Sequence, residues 1–273
     1  MVGHARGGIS TRRPSGPAMI AGLDAATIIA ALVAVALSGL AKGGFAGVGM
    51  LATPVLAMVM SPVQAASILL PILALQDLVS ITSYRRAVAW PVVWKLVPGA
   101  ALGILTGYLF AASLPQAFMA LALGVISVVF GTRGFVRSSR DTGPGKAGSR
   151  VGGIIFGFIS GLTSMIAHAG APPFQMYVLP QKLSKDLFIG TTIIFFAMMN
   201  YTKIIPYIVL GQLDLSTLWA SALLAPWAVA SGLAGLWIVR RVNPKTFEKV
   251  IFGLLVAVGL KLIVDGLIGM ALF

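Results

Sequence analysis

Apolar residues run along this chain in blocks rather than in alternation. Stretches at 22–41, 62–83, 92–112, 115–136, 186–208, 216–239 and 247–269 each approach or exceed the roughly 20 residues a helix needs to cross a hydrocarbon core. A further stretch, 151–167, is slightly short. Two more apolar pieces, 43–60 and 168–180, are broken by glycine and proline. The pattern predicts an all-α polytopic membrane protein with about 8–10 membrane segments. Residues 1–18, with Arg6, Arg12 and Arg13, read as a disordered N-terminal tail. The block that follows is too long for the apolar core of a signal peptide and is taken as a spanning helix. The one convincing linker is 138–150, SSRDTGPGKAGSR, which is polar, glycine-rich and basic. It separates a first transmembrane repeat, 19–137, from a second, 151–273.

The two halves match in order. Ser38-Gly39-Leu40 falls on Ser160-Gly161-Leu162 at an offset of 122, and Asp77 and Tyr84 fall on Asn200 and Tyr207 at 123. Pro98 and Gly107 match Pro226 and Gly235 at 128, while Pro115, Phe118 and Gly124 match Pro244, Phe247 and Gly253 at 129. An offset that drifts slowly is what loop insertions produce, so two homologous helical repeats are expected. Basic residues set their orientation. Arg85-Arg86 follows the 62–83 block and the next connection is neutral, whereas in the second half 209–215 is neutral and Arg240, Arg241, Lys245 and Lys249 cluster one connection later. If basic loops face the cytoplasm, corresponding loops lie on opposite sides, which favours inverted repeats. Inversion requires the broken segment of each repeat to complete a crossing, and 13 residues reach only about 20 Å as helix. The alternative is parallel repeats with a re-entrant hairpin, which leaves Arg240 and Arg241 on the other side.

Composition narrows the chemistry. Of 273 residues 58% are apolar and only 10% charged, well under half of what soluble chains carry, and the mean hydropathy is +0.96. With no cysteine there is no disulfide framework, thiolate metal site or cysteine nucleophile, and two histidines with seven acids make a metal centre improbable. No metal or cofactor is expected. The net charge of +13 sits between apolar blocks, so the basic residues read as orientation signals rather than a nucleic-acid footprint. Neither a GxxxxGK[ST] phosphate loop, a GxSxG elbow nor an HExxH motif occurs, and the glycines of GGFAGVG lack the βαβ context of a dinucleotide site.

The candidate chemistry lies at the broken segments. The first carries Lys42, Gly43, Gly44, Gly47 and Gly49, then Thr53 and Pro54; the second carries Ser164, His168, Gly170, Pro172, Pro173 and Gln175. Glycine and proline unwind helices, and unwound backbone inside a bilayer must be buried in protein or line a wet cavity. Two breaks in corresponding places, with helix N-termini and free amides, suit an anion near the midplane. By contrast Gly99, Gly103 and Gly107, four apart, read as a helix-packing stripe. Asp77, Ser80 and Tyr84 share one helical face, and Asn200, Lys203 and Tyr207 repeat that spacing. An intramembrane Asp or Lys costs about 3 kcal/mol to insert, so both should face the bundle interior. One reading is a polar stripe in which Lys203 and Lys42 attract the anion and Asp77 or His168 exchanges a proton; the other is a Lys–Asp pair that holds the halves together. Lys261 and Asp265 read as an interfacial pair, and the five tryptophans include interfacial anchors.

The glycine-rich stretch ending Ala52-Thr53-Pro54, and above all HAGAPPFQMYVLPQKL followed by FIGTTIIFFAMMNYTKIIPYIVLGQL, resemble the sulfite exporter TauE/SafE family of bacterial membrane permeases, over about residues 25–268. The resemblance implies a duplicated helical bundle in the bacterial cytoplasmic (inner) membrane that moves sulfite, sulfonates or related small anions. It adds Gly190, Thr191 and Thr192 to the motif positions of the second repeat, beside Gly170, Pro172 and Pro173.

The expected function is secondary transport of a small anion, in the export direction, by alternating access between two repeats. No enzymatic activity is expected. The competing readings are a channel-like anion pore and, further off, a membrane-embedded enzyme with His168 as base and Ser164 as nucleophile. The expected partners are a small anionic substrate and the lipid bilayer, with no nucleic acid; a homodimer is a further expectation.

Overall fold

The computed structural model describes residues 24–42, 48–111, 115–137, 148–238 and 244–271, and these form helices and turns without a strand. The first helix, α1, spans Ala25–Lys42. A 3-10 turn at Val48–Leu51 leads directly into the short α2, Ala52–Ala57. Three long helices complete the first half: α3 (Pro62–Tyr84), α4 (Trp90–Ala111) and α5 (Gln116–Arg137). The second half has α6 (Arg150–Ala167), the short α7 (Ala171–Val178), α8 (Lys185–Val209), α9 (Leu215–Ile238) and α10 (Pro244–Ala271). Among the described residues eight helices are long and apolar enough to cross a membrane, all of them except α2 and α7. The spans agree with the apolar blocks to within three residues. The stretch that looked short is a full 18-residue helix, because Ser149 caps it with a side-chain oxygen that accepts from the Gly152 N–H at 3.0 Å. Of the linker, 138–147 lies outside the described residues.

Local chemistry sets the other starts as well. Ser61 and Gln64 form a reciprocal capping box ahead of α3, whose first residue is Pro62, where a missing N–H costs nothing. Outward faces are apolar: Leu102 and Leu105 on α4, Ile205, Ile208 and Val209 on α8, Leu223 on α9. All five tryptophans are exposed, and Trp90 and Trp94 stack at 6.0 Å. Lys261 and Asp265 form their pair at 2.6 Å on an exposed face.

Helices pair across the halves of the sequence. The closest packing joins α5 to α10 and α4 to α6; α1 packs on α9, and α3 packs on both α9 and α8. Glycine makes the closest of these approaches. A Cβ placed on Gly103 would lie 2.1 Å from the Phe158 carbonyl oxygen, and one on Gly157 would lie 2.1 Å from that of Leu96, so α4 and α6 touch backbone to backbone. Gly99, Gly103 and Gly107 thus form the expected stripe, and Gly153, Gly157 and Gly161 answer it from α6. The α1–α9 contact repeats the device, since a Cβ on Gly235 would lie 2.4 Å from the Gly39 carbonyl oxygen. Polar side chains add crosslinks: Trp227 donates to the Leu32 carbonyl at 2.9 Å, Ser221 to that of Ile68 at 2.9 Å, and Tyr201 to that of Ala74 at 3.1 Å. Gly157→Ala or Gly103→Ala should therefore cost about 1–3 kcal/mol or more by overpacking. Melting in detergent, followed by tryptophan fluorescence, should fall for both and stay unchanged for Leu102→Ala on the lipid-facing side.

Candidate functional site

The second predicted interruption lies among the described residues, whereas 43–47 of the first lies outside them. At the first, α1 ends on Lys42 and the chain resumes in the turn at Val48; Gly43, Gly44 and Gly47 lie outside the described residues. At the second, the residue that ends α6 is His168 itself, held in the left-handed conformation at φ 53°. Its N–H donates back to the Ser164 carbonyl at 3.0 Å, and the Ala169 N–H to that of Thr163 at 3.3 Å. A non-glycine residue costs on the order of 1 kcal/mol or more there, so the surroundings must hold it. Gly170, expected as the breaker, is instead the N-cap of α7, and its carbonyl accepts from Ser160 Oγ at 2.7 Å. Pro172 and Pro173 occupy the first turn of α7 and carry no N–H, so of its first three positions only Ala171 has a peptide donor.

A cavity of about 70 Å³ is lined by residues of α1, the turn and α2, α3, the α6–α7 corner and α8. Of the residues singled out from sequence, Lys42, Gly49, Thr53, Ser164, His168, Thr192 and Asn200 line it. Others do not. Pro54 is buried within α2, Gln175 is half-buried further along α7, and Gly170, Pro172 and Pro173 are not on the wall, although Ala171 among them is. Thr191 is fully buried, and its Oγ1 accepts from the Ala89 N–H at 2.9 Å, tying α8 to the start of α4. Its neighbour Thr192 faces inward and donates to the Phe188 carbonyl at 2.7 Å. Sequence reasoning missed Ser38 and the apolar wall formed by Leu73, Ile189, Ile193 and Phe196. Ser38 stood out only as a repeat match, and the apolar residues are indistinguishable from lipid-facing ones by type.

Charge is concentrated beside this cavity. Asp77 is fully buried and takes two donors, Lys42 Nζ on Oδ1 at 2.5 Å and Asn200 Nδ2 on Oδ2 at 2.7 Å. The expected Lys–Asp pair therefore forms with Lys42, and Asn200 brings in the second half. Lys203 is fully buried and outside the cavity wall. Its ammonium has three acceptors: the Ser164 carbonyl at 3.2 Å, Ser164 Oγ at 2.9 Å and His168 Nδ1 at 2.8 Å. His168 Nε2 lies 2.9 Å from the Ala66 carbonyl oxygen, which can only accept. These partners assign the proton to Nε2 and leave Nδ1 as the acceptor for Lys203, so the ring is neutral. Ser164 Oγ and His168 Nδ1 both address Lys203 rather than each other, which is not the geometry of a serine nucleophile and its base. Among the described residues two buried side-chain atoms have no hydrogen-bond partner, Thr53 Oγ1 and Gln76 Oε1, and of the two residues Thr53 is the one on the cavity wall.

Removing one member of the Lys42–Asp77 pair leaves a charge stranded in a dry interior. Asp77→Ala should lower stability by about 3–5 kcal/mol. The double variant Lys42→Met, Asp77→Leu should recover most of that loss in the same detergent melts.

No curated protein and no solved structure matches the chain. A family model does: that of the Sulfite exporter TauE/SafE, which matches residues 28–262. That stretch takes in six of the eight long helices whole, most of α1 and of α10, and every residue of the cavity wall. The chain is thus a multi-pass membrane protein that belongs to the sulfite exporter TauE/SafE family.

Proposed function

We propose that this protein is a secondary carrier that exports a small monovalent anion, hydrogensulfite or a short sulfonate, across the bacterial cytoplasmic membrane. The observation that carries the reading is Thr53. A buried hydroxyl without a partner costs about 1–3 kcal/mol, and Thr53 belongs to the wall of a cavity already furnished with Lys42, Asn200, Ser164 and His168. An anion accepting from Thr53 would offset that cost. Size supports a compact cargo. About 15 Å³ of such space holds one water, so the cavity suits an anion of roughly four to six heavy atoms. Its apolar wall, with Phe196 and Leu73, fits a sulfonate's methyl end or sulfite's unshared pair better than a fully hydrated ion.

Alternating access around a site to which two repeats contribute is part of the proposal. Let α1 to α5 correspond in order to α6 to α10. The packing partners then exchange: α1 on α9 becomes α6 on α4, while α3 with α8 and α5 with α10 map onto themselves. Such an exchange supports two equivalent halves around a shared site.

Reconstituted in liposomes, the protein should carry radiolabelled sulfite and methanesulfonate with saturation, and anion on the far side should accelerate the flux. Linear flux without counterflow would instead establish a pore. Thr53→Val keeps the shape and removes the orphan hydroxyl. It should cut flux about tenfold, equivalent to about 1.4 kcal/mol, while leaving the melting temperature unchanged or higher. Unchanged flux in this variant would remove Thr53 from the site.

A further inference from the structure

We propose that Lys203 is the proton carrier of this site: it binds one proton as a monovalent anion enters the cavity and returns it as the anion leaves, with the Ser164 hydroxyl coupling the two events. The proposal rests on the anion-site reading above and goes beyond it by naming the coupling ion and the atoms that join it to the cargo.

The argument begins with charge. Lys42 and Asp77 cancel one another. Among the described residues no carboxylate lies within ion-pair distance of Lys203, which is fully buried. A protonated Lys203 beside an empty cavity is therefore an uncompensated charge in the middle of a bilayer protein, and a monovalent anion in the cavity compensates it. The groups around Lys203 are Asp77 from α3, Lys42 from α1, His168 from the α6–α7 corner and, in the adjoining apolar cluster, Tyr207 and Tyr108. Asp77 is engaged by two donors, His168 is fixed as a neutral acceptor, and Tyr207 donates to the Met165 carbonyl at 3.2 Å. Of the two lysines here, Lys203 is the one without a carboxylate partner.

Hydrogen-bond direction then links Lys203 to a cavity it does not touch. When charged, Nζ has three N–H groups and donates to the Ser164 carbonyl, Ser164 Oγ and His168 Nδ1. Ser164 Oγ is then an acceptor toward Lys203, and its own O–H is free to point into the cavity it lines. When neutral, Nζ has two N–H groups and one lone pair. It donates to the Ser164 carbonyl and His168 Nδ1, and the lone pair accepts the Ser164 O–H, which is thereby withdrawn from the cavity. Protonation adds one proton from the aqueous phase to the Nζ lone pair and turns one hydroxyl. No other bond changes, and the loaded and empty states carry the same net charge.

The test uses methanesulfonate, the anion of a strong acid, which brings no proton of its own. Purified wild-type protein in weakly buffered detergent solution, with a pH dye, should alkalinise the medium on binding the radiolabelled anion, by about one proton per anion bound. Apparent affinity should weaken by up to about tenfold per unit rise in pH. In vesicles a pH gradient should drive uptake, and a potassium diffusion potential should not. Lys203→Arg, permanently charged, should bind the anion without alkalinisation and respond to the potential instead. Wild-type binding with no proton uptake, or wild-type flux driven by potential, would overturn the coupling and leave the anion site standing. No binding of methanesulfonate would overturn both. The wild-type measurements decide the matter even if Lys203→Arg fails to fold, and continued proton uptake in that variant would remove Lys203 from the role.

Discussion

The carboxylate of Asp77 accepts from Lys42 on one oxygen and from Asn200 on the other, and the geometry around the cavity depends on that pair of bonds. Water would make them optional. In a bilayer no solvent waits to take over, so an interrupted helix that ends on a lysine needs a counter-ion within reach. Asp77 supplies it from α3, where Pro62 and the capping box fix the helix start. Asn200 closes the arrangement from α8. Three elements from both halves thereby meet at one carboxylate, beside the cavity.

The second cationic centre follows the opposite rule. Lys203 is surrounded by neutral acceptors, and two of its three come from a single serine. A lysine solvated in this way is held by geometry rather than by opposite charge. The difference between the two lysines is what gives the cavity its electrostatic sense: one lysine is compensated, the other awaits compensation.

Much of this was legible in the sequence because membranes impose long, unmixed blocks. The spans were readable to within a few residues, and the stretch in which the second break falls was marked by its glycine and prolines. The shared face of Asp77 and Ser80, and that of Asn200, Lys203 and Tyr207, followed from helical spacing, and all five are buried. What sequence did not reveal depends on side-chain direction. Thr191 and Thr192 are adjacent and chemically alike, yet one clamps the Ala89 peptide and the other faces the cavity. His168 rather than Gly170 takes the left-handed turn, because contacts with Ala66 and Lys203 from distant segments hold it there. Phe196 and Leu73 could not be told from lipid-facing neighbours, since a bilayer and a cavity wall select the same residue types. Whether Lys42 or Lys203 would pair with Asp77 was a question of distance, on which composition is silent.

The glycine contacts have a mechanical corollary. Helices whose main chains touch cannot slide or roll past one another without a collision that no rotamer change relieves. Trp90–Ala111 and Arg150–Ala167 are therefore obliged to travel as a single beam, although the polar linker separates them in the chain. The same holds for Ala25–Lys42 with Leu215–Ile238. The rigid pieces of this protein are thus hybrids, each drawing one strut from either side of the linker. Cutting the chain at 138–147 would sever its sequence halves and leave each of these helix pairs in contact.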